Sequence, residues 1–119
     1  MERAKIIAGP CSIESAEILD EVARTLCNIN AKYGTDIIFK ASFDKANRTS
    51  LSSYRSVGLE RGLQMLADVK AKHGLKLTTD IHEAWQAKPV GEVIDVIQIP
   101  AFLCRQTDLV VEAAHTGRI

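Results

Sequence analysis

The feature that most constrains the fold of this chain is an alternation of short apolar runs with amphipathic stretches, repeated four times along the sequence. Each apolar run has the length of a buried strand, and each stretch after it carries apolar residues at the spacing of a helix face. This order predicts parallel βαβ units, because neighbouring parallel strands need a crossover that is usually helical. The strands are predicted within residues 6–8, 37–39, 75–79 and 93–100, and the helical stretches within 19–26, 59–69, 83–88 and 106–114.

Individual residues predict where these elements begin and end. The Gly9-Pro10 pair is expected to stop the first strand, and Ser12 to cap the helix that follows. Gly34 is expected in the loop after that helix, and Gly74 is expected to close the second helix. Pro89 is expected to end or kink the third helix, because proline lacks an N–H and clashes with the preceding turn.

Two architectures fit this order of elements: a small doubly wound domain and the first half of an eight-stranded βα barrel. No Gly-x-Gly-x-x-Gly or Walker pattern follows a strand, which weakens the nucleotide-binding version. Polar residues instead follow the strands, where barrel enzymes place their chemistry. A whole barrel needs about 250 residues, so the 119 residues are predicted to form one partial domain, with the C-terminal half of the barrel absent.

Composition excludes several classes of function. Lys plus Arg and Asp plus Glu both number 15, so the formal net charge is zero and nucleic acid is not an expected partner. No apolar run reaches the roughly 18 residues of a membrane span, and the N-terminus lacks the apolar region of a secretory signal. Three cysteines at wide spacing do not indicate a disulfide framework. We therefore expect a soluble, cytoplasmic protein.

A basic segment over residues 39–50 is the candidate binding loop. Its cations Lys40, Lys45 and Arg48 alternate with hydroxyl and amide side chains, and Asp44 is its only acidic residue. Arginine can grip a phosphate with its planar fork, and lysine provides a mobile point charge. The segment therefore favours a phosphorylated small molecule as ligand. On spacing alone, a solvated basic loop remains an alternative.

The same segment carries a resemblance to a known family. Its string Phe-Lys-Ala-Ser-Phe-Asp-Lys-Ala-Asn-Arg, at 39–48, closely resembles the substrate loop of the 3-deoxy-D-manno-octulosonate 8-phosphate synthases, also called 2-dehydro-3-deoxyphosphooctonate aldolases. The resemblance covers essentially the whole chain in order. It continues through Ala-Gly-Pro-Cys-Ser-Ile-Glu-Ser at 8–15, Thr-Asp-Ile-His-Glu at 79–83 and Gln-Ile-Pro-Ala-Phe-Leu-Cys-Arg-Gln-Thr-Asp at 98–108.

This resemblance implies a fold and a reaction. The fold is α/β, the N-terminal half (about four βα units) of a TIM (β/α)8 barrel. The reaction is the condensation of phosphoenolpyruvate with D-arabinose 5-phosphate, which gives 3-deoxy-D-manno-octulosonate 8-phosphate and phosphate for lipopolysaccharide synthesis. Activity is expected only in a full-length chain, and the isolated 119 residues are predicted to be inactive.

The resemblance also assigns roles to residues of the basic segment. Lys40, Ser42 and Lys45 match positions that bind phosphoenolpyruvate, and Lys45 is expected to act in catalysis at the aldehyde carbonyl. A structural ion pair is the alternative role for Lys40. The positions that match the binding segment for arabinose 5-phosphate are Asn47, Arg48 and Thr49.

Later positions complete the implied site. Asp80 is expected to be catalytic and to contact substrate hydroxyl groups. Arg105 is expected to reach into the neighbouring subunit's site, with Phe102 beside it, so the resemblance implies a homo-oligomer, in this family typically a tetramer. His82 is predicted to support the site or the structure without binding metal, and Trp85 to pack in the outer helix layer.

Cys11 matches the metal-dependent class of the family, in which a Cys at this position binds a divalent ion. The resemblance implies that a His, a Glu and an Asp from the later half of the barrel complete the ligand set, and none of these can be assigned here. Alone, a cysteine after Gly-Pro is more often a small buried residue. Cys27 and Cys104 are both predicted to be packing residues.

Two other functions remain open. The related synthase that uses erythrose 4-phosphate in aromatic biosynthesis shares the Gly-Pro-Cys-Ser opening, but its loop typically has Lys-Pro-Arg-Thr where residues 45–48 are Lys-Ala-Asn-Arg. A non-catalytic chain that only binds phosphosugars or associates with a longer partner is the other alternative.

Overall fold

The computed structural model describes residues 4–44 and 57–119. Within them the chain is an α/β structure with one sheet of four strands, in the order β1-β2-β3-β4, and every neighbouring pair is parallel. This confirms the predicted βα units and the architecture of the N-terminal half of a TIM barrel. The elements are β1 (Lys5–Ser12), α1 (Ala16–Tyr33), β2 (Asp36–Ser42), α2 (Leu59–His73), β3 (Leu77–Asp80), α3 (Ala87–Val93), β4 (Val96–Gln98) and α4 (Thr107–His115).

The two faces of the sheet differ in character. Side chains alternate along a strand, so Phe39 and Ala41 of β2 face the opposite way from Lys40 and Ser42. Phe39 and Ala41 are fully buried and belong to the main hydrophobic cluster, together with Leu77 of β3. The helices contribute Leu19, Ala23 and Leu26 from α1, and Leu63, Leu66 and Val69 from α2. On β2 the opposite face carries Ile38 first and then Lys40 and Ser42, so its polar residues lie toward the carboxyl end of the strand.

Strand β1 runs through Gly9-Pro10 to Ser12, so the prediction that this pair stops the strand is wrong. Ala8 pairs with Phe39 and Cys11 with Ala41, which places one extra residue on β1 and forms a β-bulge. A bulge accommodates proline because the inserted residue does not take part in the hydrogen-bond ladder. Cys11 has a φ of 73° at this bulge, so the irregular backbone reorients the side chain at the end of the strand.

The cap of α1 also differs from the prediction. Ser12 is the last residue of β1, and Ser15 caps α1, with its Oγ accepting a hydrogen bond from the N–H of Ile18 at 3.2 Å. Ser12 was the wrong serine because the strand continues past Gly9-Pro10. Gly34 and Gly74 follow α1 and α2 as predicted.

Pro89 neither ends nor visibly interrupts α3. It is the third residue of Ala87–Val93, where the N–H group would have no acceptor within the helix, so proline is tolerated. The turn before this helix, Ala84–Gln86, is a separate 3-10 turn. A second 3-10 turn, Ala101–Leu103, precedes α4.

After α4 the chain returns to the edge of the sheet. The N–H of Ile97 in β4 donates to the carbonyl oxygen of Ile119 at 2.8 Å. Arg118 donates from Nε to the carbonyl oxygen of Gly91 in α3, also at 2.8 Å. None of the helices in the described ranges has the length and apolar character needed to cross a membrane.

Candidate functional site

The candidate site lies at the carboxyl ends of β2 and β3. Lys40 pairs with Thr78 across these strands, and continuing this register by two residues brings Ser42 level with Asp80. Alternation along each strand then directs Lys40, Ser42 and Asp80 to the face opposite the helices. The sheet therefore brings together three residues that sequence analysis predicted to act on substrate.

These three side chains form one hydrogen-bonded cluster. The Ser42 hydroxyl donates to Oδ1 of Asp80, and Lys40 Nζ lies 2.8 Å from Ser42 Oγ and 3.2 Å from the same Asp80 oxygen. Ser42 is fully buried and Asp80 is 7% exposed. Lys40 thus forms the predicted alternative ion pair, and the same contact holds its ammonium group at the end of β2.

His82 contacts the other side of the Asp80 carboxylate. Its Nε2 lies 3.0 Å from Asp80 Oδ2, and both side chains are largely buried. Because a carboxylate only accepts hydrogen bonds, this contact requires the proton of the ring to be on Nε2. The ring also meets Phe43 edge-on, with ring centroids 6.3 Å apart. This contact agrees with a supporting role for His82 beside Asp80, which stays a prediction.

The electrostatics of the cluster favour an ionised Asp80. Burial by itself raises the pKa of Asp80, but hydrogen bonds from His82 and Ser42 and the charge of Lys40 together hold that pKa well below its usual range. Asp80 is therefore a carboxylate at neutral pH. It can accept hydrogen bonds from substrate hydroxyl groups or orient cations, but it holds no proton to donate.

Gln86 is a supporting residue that sequence reasoning missed. Its Oε1 accepts from the backbone N–H of His82 at 2.8 Å and of Glu83 at 3.2 Å, and the side chain is buried. Glu83 and Gln86 form a capping box at the 3-10 turn. The spacing of a capping box is visible in the sequence, but the first position is usually Ser or Thr and not Glu.

Other predicted site residues lie at the ends of neighbouring strands. Cys11 is exposed at the end of β1, and Arg105 and Phe102 follow β4 and are both exposed. Their predicted roles in metal binding and across a subunit contact remain predictions. Lys45, Asn47, Arg48 and Thr49 lie outside the described residues.

Two packing predictions are wrong and one is confirmed. Trp85 is 61% exposed, and its indole N–H donates to the carboxylate of Glu83. Cys104 is also exposed, because it lies just after the 3-10 turn that follows β4. Cys27 is partly buried against the core, and its thiol lies 3.5 Å from the carbonyl oxygen of His73.

The described residues do not by themselves form a metal site. Over residues 4–44 and 57–119, no three His, Cys, Asp or Glu side chains gather closely enough to hold an ion. Tight binding of a divalent metal requires several ligands held together. Within these ranges Cys11 therefore does not belong to a complete set of metal ligands.

Comparison with known proteins identifies one matching family and several relatives that share one name. The profile of the DAHP synthetase I family matches residues 2–119. The chain is 60% identical over 114 residues to the 2-dehydro-3-deoxyphosphooctonate aldolase of Helicobacter hepaticus, a match that covers 96% of this chain and 42% of that protein. Proteins of the same name from Fusobacterium nucleatum and Campylobacter jejuni are 56% and 57% identical over 98% of this chain, which corresponds to 42% and 43% of their own lengths. The chain thus spans less than half the length of these curated relatives.

Proposed function

Because this chain belongs to the DAHP synthetase I family, we propose that it provides the N-terminal half of the active site of a 3-deoxy-D-manno-octulosonate 8-phosphate synthase. The substrates are phosphoenolpyruvate and D-arabinose 5-phosphate. The names of the relatives support this choice over the synthase that uses erythrose 4-phosphate. The chain spans about 42% of the length of those relatives. We therefore propose catalytic turnover for this chain combined with the rest of the barrel, and not for the chain alone.

The observation that carries the proposal is the buried cluster of Lys40, Ser42 and Asp80. A lysine ammonium and a serine hydroxyl held 2.8 Å apart at the end of a strand are donors that suit a phosphate group. The adjacent Asp80 carboxylate, kept ionised by its surroundings, suits the hydroxyl groups of a sugar phosphate. The combination matches two substrates of which one is a phosphorylated enol and the other a phosphorylated sugar.

In the proposed reaction, the enol carbon of phosphoenolpyruvate attacks the aldehyde carbon of arabinose 5-phosphate and a C–C bond forms. Water adds to the carbon that carries the phosphate, and phosphate then leaves with cleavage of its C–O bond. Lys40 and Ser42 bind and orient the phosphate, and Lys45 stabilises negative charge on the aldehyde oxygen. Asn47, Arg48 and Thr49 bind the sugar phosphate.

A divalent metal and a neighbouring subunit belong to the same proposal. Cys11 is proposed as one thiolate ligand, with the other ligands contributed from outside the described residues. When bound, such an ion would orient substrate or activate water. Arg105 and Phe102 are proposed to complete the site of a neighbouring subunit in a homotetramer, and their exposure leaves them accessible for such a contact.

A chimera tests this function. Residues 1–119 replace the matching segment of the Helicobacter hepaticus relative, which supplies the remaining length of the protein. We expect this chimera to release phosphate from phosphoenolpyruvate when arabinose 5-phosphate is present, and to do so much faster than with erythrose 4-phosphate. The isolated 119-residue chain is assayed in parallel and is expected to be inactive.

Matched lysine variants connect the activity to the cluster. Lys40→Met removes the partly buried cation and is expected to lower kcat/KM by at least about a hundredfold, the scale of one lost charged contact to a reacting group. Lys76→Met removes an exposed cation just before β3, where the ammonium group lies 3.0 Å from Asp36. This variant is expected to leave kcat/KM unchanged. A folded chimera that releases no phosphate with either aldehyde would favour a chain that only binds phosphosugars.

A further inference from the structure

The two oxygens of the Asp80 carboxylate have different partners. Oδ1 accepts from both Ser42 and Lys40, whereas Oδ2 is 3.0 Å from His82 Nε2. Lys40 and Ser42 are also the donors that the proposed function assigns to the phosphate of phosphoenolpyruvate. The phosphate and Oδ1 therefore compete for the one Ser42 proton and share the three N–H groups of Lys40.

When a phosphate takes the Ser42 proton, Asp80 Oδ1 loses that hydrogen bond and faces a second anion. Lys40 then divides its three N–H groups between the phosphate and Oδ1, so its attraction for the carboxylate is weakened. A buried carboxylate without a partner is strongly unfavourable. Among the described residues, His82 is the one donor to Asp80 that the phosphate neither takes nor shares. Without the hydrogen bond from His82, Asp80 would hold Lys40 more strongly in their ion pair, and the affinity for phosphate would fall.

The contacts that hold His82 in place do not involve Lys40 or Ser42. Gln86 Oε1 accepts from its backbone N–H at 2.8 Å, and Phe43 packs edge-on against the ring. The other ring nitrogen, Nδ1, is buried and has no hydrogen-bond partner within residues 4–44 and 57–119. The polar contact of the ring in this part of the chain is therefore with Asp80.

From these contacts we infer that His82 is a positioning residue: it retains the Asp80 carboxylate through Oδ2 while a substrate phosphate takes the Ser42 proton and draws Lys40 toward itself. This inference rests on the proposed function, because that function supplies the phosphate. It predicts that His82 acts mainly on the affinity for phosphoenolpyruvate, since Lys40 is drawn from Asp80 toward the phosphate at the binding step.

Two amide substitutions of His82 test whether the hydrogen-bond donor at the position of Nε2, and not the aromatic ring, is what the site requires. The amide nitrogen of glutamine can reach the position of Nε2, whereas that of asparagine lies near the position of Nδ1. In the chimera, His82→Asn is expected to raise the KM for phosphoenolpyruvate about tenfold, the effect of one lost hydrogen bond to a charged group. We expect kcat to change less than about threefold and His82→Gln to restore most of the KM. Equal KM values for the two variants, or a loss confined to kcat, would overturn the inference.

A double-mutant cycle provides the second test. In an Asp80→Asn background no carboxylate has to be retained, so His82→Asn should cause no further loss of affinity. Affinity for inorganic phosphate, followed by ³¹P NMR in folded variants, serves when turnover is too slow. An independent loss in the Asp80→Asn background would contradict the positioning role.

The same measurements distinguish this inference from the proposed function. A chimera that binds inorganic phosphate but does not convert the two substrates would refute the synthase, while the comparison of His82→Asn with His82→Gln would still decide the role of His82. A chimera that is active and shows no difference between these variants would refute the role of His82 alone.

Discussion

Gly9 in β1 lies directly against the backbone of Lys40 in β2: a Cβ atom built on Gly9 would fall 1.8 Å from the carbonyl oxygen of Lys40. No side chain fits in that space, and the obstacle is backbone that cannot rotate away. The residue beside the β-bulge is therefore a glycine because two strands approach closely. This contact also fixes the position from which the Lys40 side chain extends.

Gly9→Ala is accordingly expected to lower the free energy of unfolding by about 3 kcal/mol or more, the upper range for overpacked sites. Urea unfolding of the chimera, followed by circular dichroism, measures this loss. Gly34→Asn is the control, because Gly34 has a φ of 65° with nothing within 4 Å of a built Cβ, and asparagine tolerates this conformation. Equal losses for the two variants would show that the contact with Lys40 is not what matters.

Much of the architecture was predictable, because periodicity reports which face of each element is buried. The four βα units follow from apolar runs such as residues 37–39 and from the helical spacing of residues 59–69. The details at β1 were not predictable. A Gly-Pro pair usually ends a strand, and only the pairing with β2 shows that a bulge carries the strand on to Ser12.

The candidate site was predicted as separate residues and not as a network. Lys40, Ser42 and Asp80 were each assigned through the resemblance, but the contacts among them depend on the register between β2 and β3. Sequence gives no distance between residues 38 positions apart, such as Ser42 and Asp80. The prediction that Trp85 packs in the outer helix layer is wrong, because Trp85 lies on a 3-10 turn and is exposed.

Asp95 anchors the start of β3 through its carboxylate. Its Oδ2 accepts from the backbone N–H of Leu77 at 2.8 Å, and both oxygens lie 2.9 Å from Lys70 Nζ. Leu77 is fully buried, so Asp95→Ala would leave its N–H without that acceptor. The expected loss is about 1–3 kcal/mol of unfolding free energy.

Asp95→Asn is the matched variant, because its amide oxygen can still accept from Leu77. It removes mainly the ion pair with Lys70, which is 43% exposed, and should cost less than about 1 kcal/mol. Urea unfolding of both variants measures the difference. If Asp95→Asn lowered the free energy of unfolding as much as Asp95→Ala, the charge of Asp95 and not its hydrogen bond with Leu77 would be the stabilising feature.

Cys11 and Cys27 are expected to differ in their reaction with a thiol reagent. Cys11 and Cys104 are exposed, whereas Cys27 is partly buried in α1 with its thiol near the carbonyl oxygen of His73. In the metal-free chimera under native conditions, Cys11 should react quickly and Cys27 slowly, because modification of Cys27 requires local opening. Mass spectrometry of trypsin-digested, alkylated chimera measures both rates, and Cys27→Ser should leave the fast reaction of Cys11 unchanged. A fast reaction at Cys27 would contradict its packing against the core.

Asp20 links α1 to α2 and makes stability depend on pH. Its carboxylate lies 2.7 Å from Lys72 Nζ, 2.8 Å from His73 Nε2 and 2.6 Å from Arg24. The hydrogen bonds from Lys72 and His73 lower the pKa of Asp20 from 3.8 to about 2. Between these two values the unfolded chain binds more protons than the folded chain, so stability falls as the pH falls.

The stabilising contribution of Asp20 is therefore complete above about pH 4 and is lost progressively as the pH approaches the folded-state pKa of about 2. Asp20→Asn removes this contribution and should make the urea midpoint of the chimera less sensitive to pH in that interval. Glu21→Gln, on the exposed side of the same helix, removes one carboxylate as well and is the control. We expect the midpoint of the Glu21→Gln variant to fall between pH 5 and pH 2.5 as steeply as that of the unsubstituted protein, and that of Asp20→Asn to fall less. Equal slopes for all three proteins would show that the Asp20 contacts do not persist in solution.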